Sequence, residues 1–375
     1  MISRIVPMMR KEALHIFRDP RSLYLALVFP VLLLVVLGLS ITFDIRHVAI
    51  GIVDHDGSPA GRDLIGRLKA SEYFDVKAVI RDEAEGERLI RRDKAKIVLV
   101  IPAGFGRSLA RGETAKIQVL VDGTNNNTAQ VALGYLGGLF QSVSTRILLE
   151  TAQDRGLAEI PGIEPRTRVW YNPELRSTNF IVPGVIAVIM MIVSTMLTSL
   201  TIAREWEMGT MEQLIASPAR AAEIVIGKAG PYFVLGLLQM ALVVVGARIL
   251  FRVPFKGSVL TLLLSSALFL LCGLGVGLFI STISRSQQLS FMLGIILTMM
   301  PSFILSGFIF PIPSLPWAAR VVSYVVPARY FLTIVRGIFL KGNGLAVHGT
   351  EFLALGIFAV LIFLATARRL KLRLE

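Results

Sequence analysis

The chain has 375 residues, 54% hydrophobic and 17% charged, with a mean hydropathy of +0.67. That balance excludes an ordinary soluble domain and fits a chain with several membrane spans. The net charge of +13 would admit a nucleic-acid binder, but positions 43–177 carry 19 Lys/Arg against 18 Asp/Glu. The excess therefore lies beside apolar runs, where basic residues mark the cytoplasmic face, and no nucleic-acid partner is expected.

In chain order, a basic N-terminal stretch (1–22, with Arg4, Arg10, Lys11, Arg18 and Arg21) precedes an uncharged run over 23–43. About 20 such residues cross the hydrocarbon core as a helix, so this reads as the first span and an uncleaved anchor, kinked at Pro30. Positions 44–178 read as an α/β domain. Strands are expected at Val48–Val53, Phe74–Ile80, Ile97–Ile101 and Ile117–Val121, where β-branched or alternating runs are bounded by turn residues. Helices are expected at Gly61–Ala70, Asp82–Arg92, Pro102–Ala110 and Thr124–Gln153. Asn126-Asn127-Thr128 fits a glycosylation sequon, a motif common by chance.

Five further spans follow, at 179–201, 229–247, 257–284, 286–310 and about 352–367. The fold class is thus an α-helical integral membrane protein of six spans, with an α/β domain inserted between the first two. An even count puts both tails on one side. The C-terminal tail 369–375 is basic like the N-terminal one, so both read as cytoplasmic and 44–178 as extracytoplasmic. Arg320, Arg329, Arg336 and Lys341 then fall outside, against the charge rule, so 311–350 is expected to hold a folded segment with Trp317, Tyr324 and Tyr330 near the headgroups.

Between the second and third spans lies a polar loop (203–228) containing Arg204-Glu205-Trp206-Glu207-Met208-Gly209-Thr210-Met211-Glu212 and ending its first part at Pro218. Each glutamate at a bilayer centre would cost about 2.5–3.5 kcal/mol, so the loop is placed in water. On a helix, Glu205, Gly209 and Glu212 share one face, and Met208, Met211 and Ile215 a neighbouring apolar stripe. Gly209 either admits a close backbone approach or breaks the helix. The plain reading is an amphipathic surface helix joining two spans.

No nucleotide loop is present, since Gly227-Lys228 is followed by Ala229 and lacks the upstream glycine. Cys272 is the single cysteine, and the four histidines are scattered, so neither a disulfide framework nor a metal site is expected. Asp54 and Asp56 beside His55 read as a solvated turn rather than a metal site. Gly273, Gly275 and Gly277 read as a close-packing patch, with a dimer seam left open. Ser194, Thr195, Thr198 and Gln239 either face a substrate path or bond to neighbouring helices. No span carries a charge at its middle, which weighs against a proton-coupled antiporter and suits apolar or amphipathic cargo.

The pattern Arg204-Glu205-x-Glu207-x-Gly209-Thr210-x-Glu212-x-Leu214-x-x-x-Pro218 resembles the signature of ABC type-2 exporter permeases. Lys11-Glu12 with Arg18-Asp19-Pro20-Arg21-Ser22 resembles that family's N-terminal cytoplasmic helix. Asn172-Pro173 through Pro183-Gly184 resembles its entry into the second span. The stretches Ser306–Pro311 with Pro316, Pro327–Phe331 and Arg336-Gly337 resemble the region after its fifth span. The large domain after span one is similar to the multidrug-type transport branch.

This resemblance implies a half-transporter of the bacterial inner membrane. It implies pairing with a second permease, as homodimer or heterodimer, and seating on a separate cytoplasmic ABC ATPase. No cofactor is expected on this chain, ATP and Mg belonging to the ATPase. Mapped residue by residue, the ATPase-coupling candidates are Glu205, Glu207, Gly209, Thr210, Glu212 and Pro218. Membrane lipid and a periplasmic adaptor are further candidate partners, the α/β domain either docking the adaptor or gating the exit. The competing reading is a membrane-anchored sensor or assembly protein acting through that domain, which would call for a cytoplasmic signalling domain. A membrane enzyme would rest on Asp44, Arg46 and His47, better explained as a membrane-boundary clamp.

Overall fold

The computed structural model describes residues 2–40, 47–124, 126–154, 170–173 and 176–370. Asp44, Arg46 and the tail from Lys371 onward lie outside the described residues. The chain divides into two compact units, Met1–Thr42 with Arg168–Glu375, and Phe43–Thr167.

The first unit begins with helix α1 (Ile2–Arg18), a short turn α2 (Pro20–Leu23), a π-turn over Tyr24–Val28 and α3 (Phe29–Ser40). The expected disturbance at Pro30 takes the form of that π-turn. The amide of Phe29 reaches five residues back to the carbonyl of Tyr24, so the helix changes register just before a residue with no N–H to donate.

The inserted unit is a four-stranded sheet with helices. Its strands are β1 (Val48–Asp54), β2 (Phe74–Ile80), β3 (Ile97–Ile101) and β4 (Gln118–Val121), in the order β2-β1-β3-β4. β1 runs parallel to β2 and β3, and β4 antiparallel to β3. The parallel crossovers are made by α4 (Pro59–Ala70) and α5 (Glu83–Arg91); α6 (Phe105–Ala110) links β3 to β4, and α7 (Asn126–Asp154) follows. One face packs Ile50, Ile52, Ile97, Leu99 and Ile101 against Leu64, Leu68, Ala132 and Leu136. The other packs Val53, Val98 and Val100 against Leu89 and Ile90. Burial on both faces is why β3 is an unbroken apolar run rather than an alternating one.

The remainder of the helical unit comprises α8 (Ser177–Glu207), α9 (Met211–Ala216), α10 (Ala221–Phe251), α11 (Val259–Ile283), α12 (Gln287–Ile304), α13 (Trp317–Ser323), α14 (Pro327–Arg336) and α15 (Gly349–Arg369). Among the described residues, five helical stretches are long and apolar enough to cross a membrane: Ser177–Glu207, Ala221–Phe251, Val259–Ile283, Gln287–Ile304 and Leu345–Arg369. The pair Trp317–Ser323 and Pro327–Lys341, bent by 80°, makes a sixth if counted as one.

One predicted span differs from what is found. Of the run over 23–43, the described part is the apolar helix Tyr24–Ser40, about 25 Å at 1.5 Å per residue, and positions 41–43 lie outside the described residues. The span over 286–310 stops at Ile304, because Ser306 and Gly307 turn the chain, Gly307 at φ +84°. The folded segment expected in 311–350 is the bent pair.

α8 is the central helix, almost wholly buried. Gly273 and Gly277 of α11 lie directly on Ser194 and Thr198 of α8, while Gly275 faces Ile362 and Phe363 of α15. The glycine patch thus seats α11 between two helices of its own chain. Thr195 donates to the carbonyl of Gly273 (3.1 Å) and Thr198 to that of Leu274 (3.2 Å). These hydroxyls, with Ser194 on its own helix's carbonyls, serve helix packing. Gln239 is buried, and its amide nitrogen has no partner among the described residues.

Candidate functional site

The polar loop is where the structure concentrates charge. α8 ends at Glu207, the chain turns through Met208-Gly209-Thr210, and the short α9 follows. Gly209 has φ +70° with open space where a side chain would stand. Of the two roles left open for it, it breaks the helix rather than admitting a neighbour. The break divides the two predicted faces. Met211 is buried whereas Met208 is 63% exposed, and Glu212 belongs to a different helix from Glu205.

Glu205 departs from the expectation of a loop bathed in water. It is 8% exposed and its carboxylate accepts from Lys228 (3.0 Å), from Lys11 (3.2 Å) and from the Thr210 hydroxyl. Lys228, 2% exposed, also reaches Glu12 (3.5 Å) and the carbonyl of Thr201 (3.4 Å). Glu12 is buried in turn and accepts from the Tyr232 hydroxyl at 3.5 Å. Two buried carboxylates thus share the buried Lys228 where α1, the end of α8 and the start of α10 meet, and the exposed Lys11 supplies a second ammonium group at the edge. Buried ions are tolerated only when matched in this way.

The close approach of α1 to α10 is made possible by Gly227 and Gly230, whose faces are covered by Met8 and Met9. Three residues apart, the two glycines open one flank of α10 to a neighbouring helix. Around the ionic core further contacts join the same elements. Arg204 bonds His15, lies 3.9 Å from Asp19 and donates to Gln287 (3.2 Å). Arg4 donates to the carbonyl of Pro218 at 2.7 Å. Glu207, exposed, accepts from the backbone (2.9 Å) and side chain (3.2 Å) of Gln287 and so caps the start of α12. A cavity of about 170 Å³ lies beside the core, lined among others by Lys11, Glu12, Arg204, Glu205 and Tyr232.

The six coupling candidates therefore separate. Glu205 and Thr210 face inward on the ionic core. Glu207, Gly209, Glu212 and Pro218 are exposed, and Glu212 makes no ion pair among the described residues. Lys228, Tyr232, Gly227 and Gly230 were not singled out by sequence for this site, and Glu12 only as part of a motif. One signal was available: Lys228 is the only charge between Glu223 and Arg248, placed just ahead of an apolar run.

In the inserted unit, the Asp54–Ser58 turn is bound up with the backbone. Asp54 accepts from the amides of Asp56 (3.0 Å) and Gly57 (2.9 Å). Asp56 accepts from those of Gly104 (2.8 Å) and Gly106 (2.9 Å), tying the loop after β1 to the loop after β3. The Ser58 hydroxyl, followed by these amides, holds the Asp56 carboxyl below the usual carboxylate range. His55 pairs with Glu83 at 3.4 Å. Among the described residues no group of three or more His, Cys, Asp or Glu is placed to hold a metal.

Comparison with known proteins places this arrangement. Residues 20–368 match the model of the ABC-2 family transporter protein. The chain is 39% identical over 368 residues to the probable multidrug ABC transporter permease YbhS of Escherichia coli K12, covering 97% of this chain and 96% of that one. It is 31% identical over 348 residues to YbhR of the same organism, another probable multidrug ABC transporter permease, covering 92% of each. It is 22% identical over 348 residues to the linearmycin resistance permease protein LnrN of Bacillus subtilis, covering 87% of this chain and 89% of that one. The polar turn, the bent pair and the helices around α8 are parts of a chain that belongs to the ABC-2 family of transporter permeases.

Proposed function

We propose that this permease is the membrane half of an ATP-driven exporter of the bacterial inner membrane, worked through its polar turn by an ATPase on a separate chain. It pairs with a second permease and moves apolar or amphipathic cargo out of the cytoplasm or inner leaflet. In this reading both tails and the turn are cytoplasmic, and the inserted α/β unit is extracytoplasmic.

The observation that carries the proposal is the junction itself. An exposed surface of Glu207, Met208, Gly209 and Glu212 lies directly outside a buried ionic core gripping α1, α8 and α10. A push on the turn is delivered to three helices at once, because separating any of them would strand a buried charge. Helix α1 also exposes Val6, Leu14 and Phe17 along its length, as suits a helix lying at a membrane surface. The uncharged middles of the long helices favour apolar cargo.

The test reverses charge on the exposed surface alone. A Glu207→Arg/Glu212→Arg double variant, co-expressed with the ATPase, should lose ATPase co-purification and cargo-stimulated hydrolysis while keeping its own folded mass. Retention of both would refute the coupling role. Glu205 is left untouched in this experiment, since reversing it would disrupt the core and mimic a docking defect.

A further inference from the structure

Between Glu223 and Glu351 the chain contains no aspartate or glutamate. Lys228 of this stretch is neutralised in the ionic core. Besides Arg248 in the last turn of α10, six basic residues, Arg252, Lys256, Arg320, Arg329, Arg336 and Lys341, belong to the opposite end of the helical unit and its bent pair. Arg252 and Lys256 lie between α10 and α11, which is the end away from the polar turn. α11 and α15 run the same way, Cys272 meeting Leu355 and Gly275 meeting Ile362, so the segment joining α12 to α15 begins and returns at that end. The amide of Lys256 donates to Phe339 at 3.3 Å, which fastens the end of the bent pair there.

None of the six is ion-paired among the described residues. Carbonyls, a hydroxyl and aromatic faces hold four of them instead. Arg320 donates to Leu315 (3.2 Å), and Arg329 donates to the Ser323 hydroxyl (2.6 Å) and lies 4.0 Å from the Tyr324 ring. Arg336 donates to the carbonyls of Gly307 (3.0 Å) and Phe308 (3.4 Å) and lies 3.6 Å over Phe180, while its Nε is buried without a partner. Lys341, five residues on across a π-turn, lies 5.8 Å over Tyr171. The two cations thus lie over rings in the first turn of α8 and in the stretch just ahead of it. Dipoles and rings orient a cation but leave its formal charge in place, so a counter-charge is called for. Beside them α13 and its end expose Trp317 (79%), Val321, Tyr324 and Val325 (66%). Unneutralised cations next to exposed aromatic and aliphatic side chains match a lipid interface, where headgroup phosphate and acyl chain are offered together.

We propose that this end binds the phosphate of an anionic phospholipid, with Arg336 as the central cation and Lys341 beside it, and with the apolar face of α13 against the acyl chains. The site is independent of the cargo and of the coupling turn.

The experiment uses the full-length protein, delipidated in a neutral detergent and titrated with phosphatidylglycerol or phosphatidylcholine, with bound lipid counted by native mass spectrometry. Phosphatidylglycerol should be retained in preference to phosphatidylcholine, and soluble glycerol phosphate should not displace it. Arg336→Gln should weaken that retention about tenfold, the scale of a lost charge-assisted hydrogen bond. The exposed Lys341→Gln should weaken it about fivefold, the scale of one interfacial charge, and decides the matter if Arg336→Gln fails to fold. Arg368→Gln/Arg369→Gln, at the other end, should leave it unchanged. Equal retention of the two lipids overturns the proposal, as does loss only in the Arg368/Arg369 variant. Displacement by glycerol phosphate would assign the site to free phosphate instead. A changed dimer mass with unchanged lipid count would give the face to a second copy of the chain. Either outcome refutes the lipid assignment.

Discussion

The two ends of the helical unit treat charge in opposite ways. At the polar turn, a buried cation meets buried carboxylates, Lys228 against Glu205 and Glu12, and the exposed Lys11 pairs with Glu205 from the edge. At the far end, cations meet carbonyl oxygens and rings, and the single acidic residue near them in sequence, Glu351, lies 3.9 Å from His348 rather than from any of them. An internally balanced site resists separation, since each partner would be left as an uncompensated ion. A site oriented by dipoles keeps its charge available to something outside the chain. The first arrangement suits a lock between moving parts, and the second a seat for a ligand.

The largest effect should come from unbalancing the lock. Lys228→Met leaves two buried carboxylates facing each other and should destabilise the protein by about 3–5 kcal/mol. Thermal unfolding in detergent would read this as a strongly lowered midpoint. Adding Glu12→Gln and Glu205→Gln to the same variant should recover most of the loss, because a neutral core of similar shape costs little. If the triple variant is no more stable than the single one, electrostatic balance is not what holds the junction. Arg336→Gln should cost less, about 1–3 kcal/mol, since it withdraws donors from two carbonyls but strands no opposite charge. A loss as large as that of Lys228→Met would erase the contrast between the two ends.

How far all this could be read in advance depends on the range of the interaction. The strands Phe74–Ile80 and Ile97–Ile101 occur at the bounds expected from β-branched runs flanked by turn residues, because strand ends are encoded locally. The break at Gly209 was half legible: the residue type permitted either role, and only the backbone at φ +70° with empty space beside it decides. The ionic core was not legible. Its members stand at positions 12, 205 and 228, on three elements, and no local pattern states that they meet. Lys228 reads alone as a boundary charge before a span. Glu205 reads alone as one of three similar glutamates, and only its burial distinguishes it from Glu207 and Glu212. The apolar run over 286–310 misled for a related reason. Hydropathy continues through Phe310, whereas the helix is stopped at Ser306-Gly307, a turn dipeptide whose one hydroxyl does little to lower the hydropathy of the run.

The smallest expected effect lies in the inserted unit, where a half-buried carboxylate is held by a turn and one lysine rather than in an ionic core. Asp122 accepts from the hydroxyl (2.6 Å) and amide (3.0 Å) of Thr124 and from Lys96 (3.2 Å). The Thr124 hydroxyl first, then its amide, then Lys96 lower its pKa from 3.8 to about 2. The folded state therefore binds this proton less readily than the unfolded chain. The resulting stabilisation is fully present above the unfolded value of 3.8 and is lost as pH falls through about 2. Asp122→Asn should lower the unfolding midpoint slightly at neutral pH, and the gap from the parent protein should close as the medium is acidified across that window. The difference between the two chains is the measurement, because other carboxylates titrate in both. A gap that stays constant with pH would mean that Asp122 acts through shape and not charge. A carboxylate held by a turn would then belong with neither end of the helical unit, and the comparison would hold only for carboxylates in an ionic core.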